Sequence, residues 1–310
     1  MQADEGWDPV GVVLASGAMA LVLVAGPPGL RRGYVPLGPV PSTPDTIREL
    51  AGWASRAGLV RLRVQPELAI DETAEVLASG FRLGPTVTPG LGRPYARYLY
   101  PEHTQLVPLA EPEVILSRCK PKHRYNIRLA LRRGVEVEQS DDVDELHRQQ
   151  LATARRQGIR PPHQDVYRRR LEALAWCRVY VARVGSEAVG AIMVARFGRR
   201  AHYLFGGTSG RHRGLMPAYA LQWQAMIDAA AAGCRQYDLF GVPPTGDPTH
   251  PWHGLWRFKT GFGGHLVHTS GAIDITFRRF RSLLVVDSRH VSLTAPLRRY
   301  LGGSKRRQAT

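Results

Sequence analysis

The chain has 310 residues, 44% of them apolar, enough for one large or two medium domains with real cores. Its 42 lysines and arginines against 26 acids leave a formal net charge of +16, which predicts attraction to polyanions: nucleic acid, an anionic membrane surface or phosphorylated ligands. Three cysteines far apart (Cys119, Cys177, Cys234), with no CxxC pair, support neither a disulfide framework nor a zinc site and point to a reducing cytoplasm.

The first elements are strands. VGVVLA (10–15) and AMALVLVA (18–25) flank Ser16-Gly17, and GYVPLG (33–38) follows a Pro-Gly loop. The run GAMALVLVAG is too short to span a bilayer and has no basic segment before it, so it reads as a buried strand. A helix starts at the cap Thr43 with Pro44 in its first position, runs past Ile47, Leu50 and Trp53, and ends near Gly58. LVRLRV (59–64) is the next strand.

SRCKPKHRYNIRLALRRG (117–134) predicts a second helix, with Pro121 in its first turn and Gly134 as its stop. Lys120, Arg124, Arg128 and Arg132 recur every fourth residue and line one face, while Tyr125, Ile127, Leu129, Ala130 and Leu131 offer apolar faces to pack. Like charges at this spacing cost a few tenths of a kcal/mol per pair. The stripe is therefore either a solvated face or the footprint of an anionic partner.

VYVARV (179–184), AVGAIMVARF (188–197) and HYLFGG (202–207) form a meander. From Leu215 the period becomes helical through Tyr219, Trp223, Met226, Ile227 and Ala230, and Gly233 stops it. RQYDLFG (235–241) then reads as a strand parallel to the third. The order strand–strand–strand–helix–strand thus occurs twice. It predicts an α/β (α+β) chain of two tandem lobes, mixed sheets flanked by helices. The expected lobes are 1–111 with 272–310, and 112–271 with the basic helix 120–133. From Arg278 to Arg307 there are nine Lys or Arg and one acid, Asp287, either a solvated end or a contact for acidic lipid or RNA.

LWRFKTGFGG (255–264) places Lys259 before the glycines, so it is not a phosphate-binding P-loop. Lys259 reads as a turn charge in water or as a group at the chemistry. Asp238, at a strand end, reads as a loop cap or a catalytic base. His250, His253, His265 and His268 lack a carboxylate or thiolate at ligand spacing, and no metal is predicted.

A meander followed by a helix resembles the acetyl-CoA-dependent N-acetyltransferases (GNAT), where a glycine-rich turn opens the helix and its N–H groups hold the CoA pyrophosphate. Here the turn is Arg211-His212-Arg213-Gly214-Leu215-Met216-Pro217. Met216 replaces a small residue and Pro217 removes a donor. A donor other than CoA is expected.

Four stretches carry a narrower resemblance: YVPLGPV (34–40), KPKHRYNIRLALRRGVEV (120–137), YLFGGTSGRHRGLMPAYALQWQAMIDAAAAGCRQYDLFGVPP (203–244) and DPTHPWHGLWRFKTGFGG (247–264). Over most of residues 7–275 the chain resembles the Fem-type (FemABX) aminoacyl-tRNA-dependent peptidyltransferases. The resemblance implies two GNAT-like lobes and transfer of an amino acid from aminoacyl-tRNA, the co-substrate, to an amine without another cofactor. The implied acceptor is a UDP- or lipid-linked muropeptide stem peptide, or a peptide natural product. A cytoplasmic monomer is expected, peripheral at the inner face of an anionic membrane.

The same resemblance makes Lys259 catalytic, facing the oxyanion or a nearby phosphate, with Asp238 as the second catalytic candidate. Phe258 would stack on the terminal adenine, and Gly261, Gly263 and Gly264 would bring the chain close to the ligand. Lys120, Arg124, Arg128 and Arg132 would grip tRNA. Arg32 and Arg160 would hold the acceptor phosphates, with Arg31 and Arg156 as neighbouring choices. The chain departs from the family pattern in lacking the residues that precede GWDPV and the long two-helix arm, since nine residues separate Tyr167 from Cys177. The tyrosine expected after the second arginine is displaced, with Gln164 near its place. Two other classes compete: an acetyl-CoA-type N-acyltransferase, and a non-catalytic RNA- or membrane-binding protein with degenerate lobes.

Overall fold

The computed structural model describes residues 7–68, 82–83, 101–243, 245–269 and 271–277. The chain divides into two compact units, crossing between them at His103/Thr104 and at Val267/His268.

The first unit opens with β1 (Asp8–Val13), β2 (Met19–Ala25) and β3 (Arg32–Pro36), then α1 (Pro44–Arg56), β4 (Arg61–Gln65) and the two-residue β5 (Arg82–Leu83). With β13 (Ile273–Thr276) they form one sheet in the order β1-β2-β3-β4-β13-β5. α1 is the crossover that lets β3 and β4 run parallel, with Val35 opposite Val64. Its start is as expected: the Thr43 hydroxyl accepts from the Thr46 N–H, and Thr46 returns a bond to the Thr43 N–H. Ile47, Leu50 and Ala54 on α1 are fully buried against Val22, Val35, Leu62 and Val64 of the sheet. Each such large side chain contributes about 1.5–3 kcal/mol. β13 is tied to β4 by Asp274, whose carboxylate accepts from Arg63 Nε at 2.6 Å and Arg61 Nη2 at 2.6 Å.

β2 departs from the expectation of a wholly buried strand. Ala20 and Val22 face the core, whereas Met19 is 60% and Leu21 49% exposed. Strand side chains alternate, and only one face of the β1–β2 hairpin meets α1.

The second unit runs β6 (His103–Pro108), α2 (Pro112–Arg118), α3 (Pro121–Arg132), β7 (Glu136–Ser140), α4 (Val143–Gln157), α5 (Gln164–Ala173), β8 (Cys177–Val184), β9 (Glu187–Phe197), β10 (Arg200–Thr208), α6 (Pro217–Ala231), β11 (Gln236–Gly241), α7 (His253–Thr260) and β12 (His265–His268). Its sheet has the order β12-β6-β11-β10-β9-β8-β7. The β8–β9–β10 meander is antiparallel, and β10 and β11 are parallel. α6 supplies their crossover and buries Ala220, Leu221, Ala225 and Met226 on one face of the sheet. Leu146 of α4 and Tyr167 of α5 cover the other face.

The basic helix α3 sits where its sequence predicts, with Gly134 in the left-handed region at its stop. Its apolar faces are corrected by the structure. His123, Ile127 and Ala130, at i, i+4 and i+7, are buried, while Tyr125 is 56% and Leu131 52% exposed. The basic C-terminal stretch 278–307 lies outside the described residues. No helix among the described residues is long and apolar enough to cross a membrane.

Candidate active site

Chemistry-bearing side chains collect where β10 and β11 part. The strands pair at only three positions, the last of them His202 with Asp238. β10 then shifts register against β9 between Tyr203 and Phe205, and β11 shifts against β6 between Asp238 and Gly241. Such bulges bend both strands and open a wedge at their C-terminal ends. Phe240 adopts a φ of 64°, unusual for a bulky residue. Asp238 supports that conformation, because its Oδ1 accepts the Phe240 N–H at 2.8 Å.

Asp238 is wholly buried. Oδ1 also accepts from the Thr104 hydroxyl of β6, and Oδ2 lies 3.4 Å from His202 Nδ1. The carboxylate thus caps the bulge, as the plainer sequence reading allowed, and also orients an imidazole that is 17% exposed.

Lys259 occupies the last turn of α7 and is 6% exposed. The reading of a solvated turn charge is therefore corrected. The short helix carries no clear apolar period in the sequence. Its Nζ donates to the Gly241 carbonyl at 2.8 Å and lies 5.5 Å from the centroid of the Tyr203 ring. Burial lowers its pKa to about 7, opposed by the negative charge of Asp238. Burial likewise holds the Tyr203 phenol up at about 12.

The three glycines after Lys259 serve the protein's own packing. A Cβ on Gly261 would come within 1.8 Å of the His123 ring, and one on Gly264 within 1.9 Å of the Leu106 carbonyl oxygen. Gly263 turns at φ 86° against the Arg118 carbonyl. His123 Nε2 donates to the Phe258 carbonyl at 2.8 Å, which fixes the tautomer, and burial holds the ring neutral. The half-buried Phe258 ring meets Phe262 (5.2 Å) and Tyr219 (5.3 Å) edge-on. It has a packing role irrespective of any ligand.

The cationic candidates divide. Lys120 is exposed, its backbone N–H bound to the Gly261 carbonyl and its ammonium 5.2 Å from the Trp256 ring centroid. Arg128 and Arg132 are exposed on α3. Arg124 is half-buried and donates to the Ser117 and Cys119 carbonyls at the end of α2. Arg160 is exposed in the loop between α4 and α5, and its neighbour Arg156 donates to the Thr208 carbonyl at 2.8 Å. In the first unit, Arg32 lies on β3 with its guanidinium carbon 5.1 Å from the Trp7 ring centroid. The displaced Tyr167 is fully buried against Phe205, with no hydrogen-bond partner for its hydroxyl.

Among the described residues no three His, Cys, Asp or Glu side chains are grouped to hold a metal. His250 Nδ1 accepts the Trp252 N–H, His253 stacks on Trp256, and His268 meets His103 Nδ1 to Nδ1 at 2.7 Å. All three cysteines are free and buried. Sequence reasoning missed His202, Thr104 and His123. The i, i+4, i+7 spacing of His123 with Ile127 and Ala130 marked it as inward-facing. His202 and Thr104 carried no local mark.

Residues 120–259 match the acetyltransferase (GNAT) domain family. The chain is 31% identical over 77 residues to the lipid II:glycine glycyltransferase of Staphylococcus saprophyticus. That alignment covers 25% of this chain and 19% of the relative. The relative from Staphylococcus haemolyticus matches equally, 31% over 77 residues, covering 25% of this chain and 18% of the relative. The fold superposes on the crystal structure of FemX with a TM-score of 0.78 at 18% identity, covering 92% of each chain. It also matches the C-terminal domain of a putative lysylphosphatidylglycerol synthetase from Agrobacterium fabrum, with a TM-score of 0.54 at 15% identity over 91% of this chain and 88% of that one. These findings show a GNAT-like fold, with residues 120–259 matching a GNAT domain. The curated relatives are matched over less than a fifth of their own length.

Proposed function

We propose that this protein transfers an amino acid from aminoacyl-tRNA to the stem-peptide amine of a peptidoglycan precursor, forming a peptide bond. The observation that carries the reading is Lys259, buried at the end of the β10–β11 wedge beside Asp238. An aminoacyl ester is already activated, so transfer needs a deprotonated amine and a stabilised tetrahedral oxyanion. A buried ammonium supplies the second, and one positioned donor is worth ~3 kcal/mol in such a step. In this reading Asp238 and the imidazole 3.4 Å from it take the proton of the incoming ammonium.

The geometry around α6 favours a donor other than acyl-CoA. The N–H groups of Leu215 and Met216 point to the His212 and Arg213 carbonyls, and Pro217 has none. Met216 stands at φ 58° without capping the helix by its side chain. Three positions of the turn therefore offer no free donor to a pyrophosphate. The local similarity to lipid II:glycine glycyltransferases supports a muropeptide acceptor. The exposed Lys120, Arg128 and Arg132 are the tRNA-binding candidates, and Arg32 and Arg160 are the acceptor-phosphate candidates. The protein acts as a cytoplasmic monomer peripheral to the membrane.

The test is transfer of radiolabelled amino acid from a mixed aminoacyl-tRNA pool into UDP- and lipid-linked muropeptides. Label in the stem peptide, abolished by RNase pretreatment, is the expected result. Acylation of an amine from acetyl-CoA with none from aminoacyl-tRNA would overturn it.

A further inference from the structure

At the N-terminal ends of β10 and β11, opposite the wedge, three arginines converge. Arg199 and Arg200 leave the β9–β10 turn, which Gly198 closes at φ 56°, and Arg235 leaves the turn after α6, which Gly233 closes at φ 83°. The Arg235 N–H donates to the Arg199 carbonyl at 2.7 Å, and the Leu109 N–H donates to the Arg235 carbonyl at 2.8 Å. Backbone bonds thus stitch three chain segments around a cavity of about 410 Å³ lined by Pro108, Arg199, Arg200, Arg235 and Gln236.

Among the described residues no carboxylate lines this cavity. Arg200 Nε donates to Gln236 Oε1 at 3.1 Å, which orients its guanidinium. Arg199 and Arg235 are exposed, and among the described residues no hydrogen bond or ion pair engages either side chain. A fourth guanidinium, that of Arg118, reaches the rim by donating to the Pro108 carbonyl at 3.3 Å. Phe197, the cross-strand partner of Arg200, is 72% exposed at the same turn. A cluster of arginines with no lining carboxylate is neutralised by an anion, and the guanidinium fork matches phosphate oxygens bidentately.

We propose that this pocket binds backbone phosphates of RNA, holding the body of a tRNA whose 3′ end enters the wedge. This rests on the aminoacyl-tRNA reading above and adds the place where the nucleic acid is anchored. Gln236 and Gly241 are five steps apart along β11, at most about 17 Å at ~3.3 Å per residue, a short span for one tRNA. The pocket is open and arginine-lined, and it offers several guanidinium groups to the successive phosphodiesters of one strand. An exposed ring beside the arginines adds a stacking face.

The experiment measures binding of deacylated tRNA to the full chain and to the Arg199→Ala/Arg235→Ala variant across a salt series. Vesicles containing phosphatidylglycerol form a second arm. Both side chains are exposed, so the variant keeps the fold, which its thermal transition checks. The expected result is at least tenfold weaker tRNA binding near physiological salt and a salt slope smaller by about 1.5, two contacts at ~0.7–0.9 each. KM for aminoacyl-tRNA should rise in step while kcat is kept. Unchanged affinity and slope in the variant, with wild-type protein still transferring amino acid, would overturn the pocket and leave the transfer reading standing. Vesicle binding lost with tRNA binding intact would reassign the pocket to lipid and overturn the proposal. A wild-type protein that binds no tRNA at all would overturn both.

Discussion

Lys259 donates a 2.8 Å hydrogen bond from its Nζ to the carbonyl oxygen of Gly241. That single bond joins the end of α7 to the end of β11, where the sheet opens. With burial pulling its pKa to about 7 and Asp238 pulling it back up, the group is divided between ammonium and amine at neutral pH.

The first prediction follows for catalysis. If the ammonium form stabilises charge that develops during transfer, kcat falls as pH rises through about 7, and Lys259→Ala loses ~100-fold or more with KM nearly unchanged. Lys259→Arg recovers little, since the site is closed around a small head group and guanidinium has another geometry. Single-turnover transfer at saturating aminoacyl-tRNA, measured from pH 6 to 9, checks this. A rate that climbs through the same range would instead make Lys259 a base.

The second concerns stability. The folded pKa of Lys259 lies below its ordinary value of 10.5, so between about 7 and 10.5 the unfolded chain binds the extra proton. The stability contributed by this site therefore rises with pH through that window, and below about 7 the cost of burying the charge is fully present. Lys259→Met removes the titration. The difference in Tm between wild type and Lys259→Met should shift toward wild type from pH 7 to 10, and a constant difference would deny the buried titration.

The third concerns Gly261, whose φ of −76° any residue adopts. Its requirement is space, because a Cβ would meet the His123 ring. Gly261→Ala should cost about 1–3 kcal/mol in urea unfolding, the usual range for overpacking. Adding His123→Ala should recover part of that loss, giving a non-additive cycle. Strict additivity would place the clash elsewhere.

The fourth separates the arginines of α3. Arg128→Ala and Arg132→Ala should each lower the salt slope of tRNA binding by ~0.7–0.9 with stability intact. Arg124→Ala should instead lower Tm, since it leaves the Ser117 and Cys119 carbonyls without their donor. Equal effects of all three on the slope would mean that Arg124 swings free of α2.

Much of the second unit was legible in the sequence because its information is local. Alternation in 179–184 predicted β8, the apolar run 188–197 predicted β9, and a change of period at Leu215 predicted α6. Thr43, Gly134 and Gly233 marked ends through cap geometry that needs no tertiary partner. α7 was not legible, because a short helix of mixed aromatic and basic residues has no clear apolar period and stands on packing against β11 and α3. The exposure of Tyr125 and Leu131 was missed for a related reason: periodicity offers several apolar faces on α3, and only packing against α6 chooses one.

The sequence by itself determined the two strand–helix–strand crossovers, the basic stripe on α3 and the stretch that holds Lys259, because each depends on residues near one another in the chain. Only the tertiary structure decided the site. Thr104 and Asp238 are 134 residues apart, and His202 joins them through the last paired rung of two parallel strands. The pKa of Lys259 is likewise a property of its surroundings. A lysine carries the same charge in any sequence, and only the exclusion of water by β10, β11 and α7 makes that charge expensive to keep.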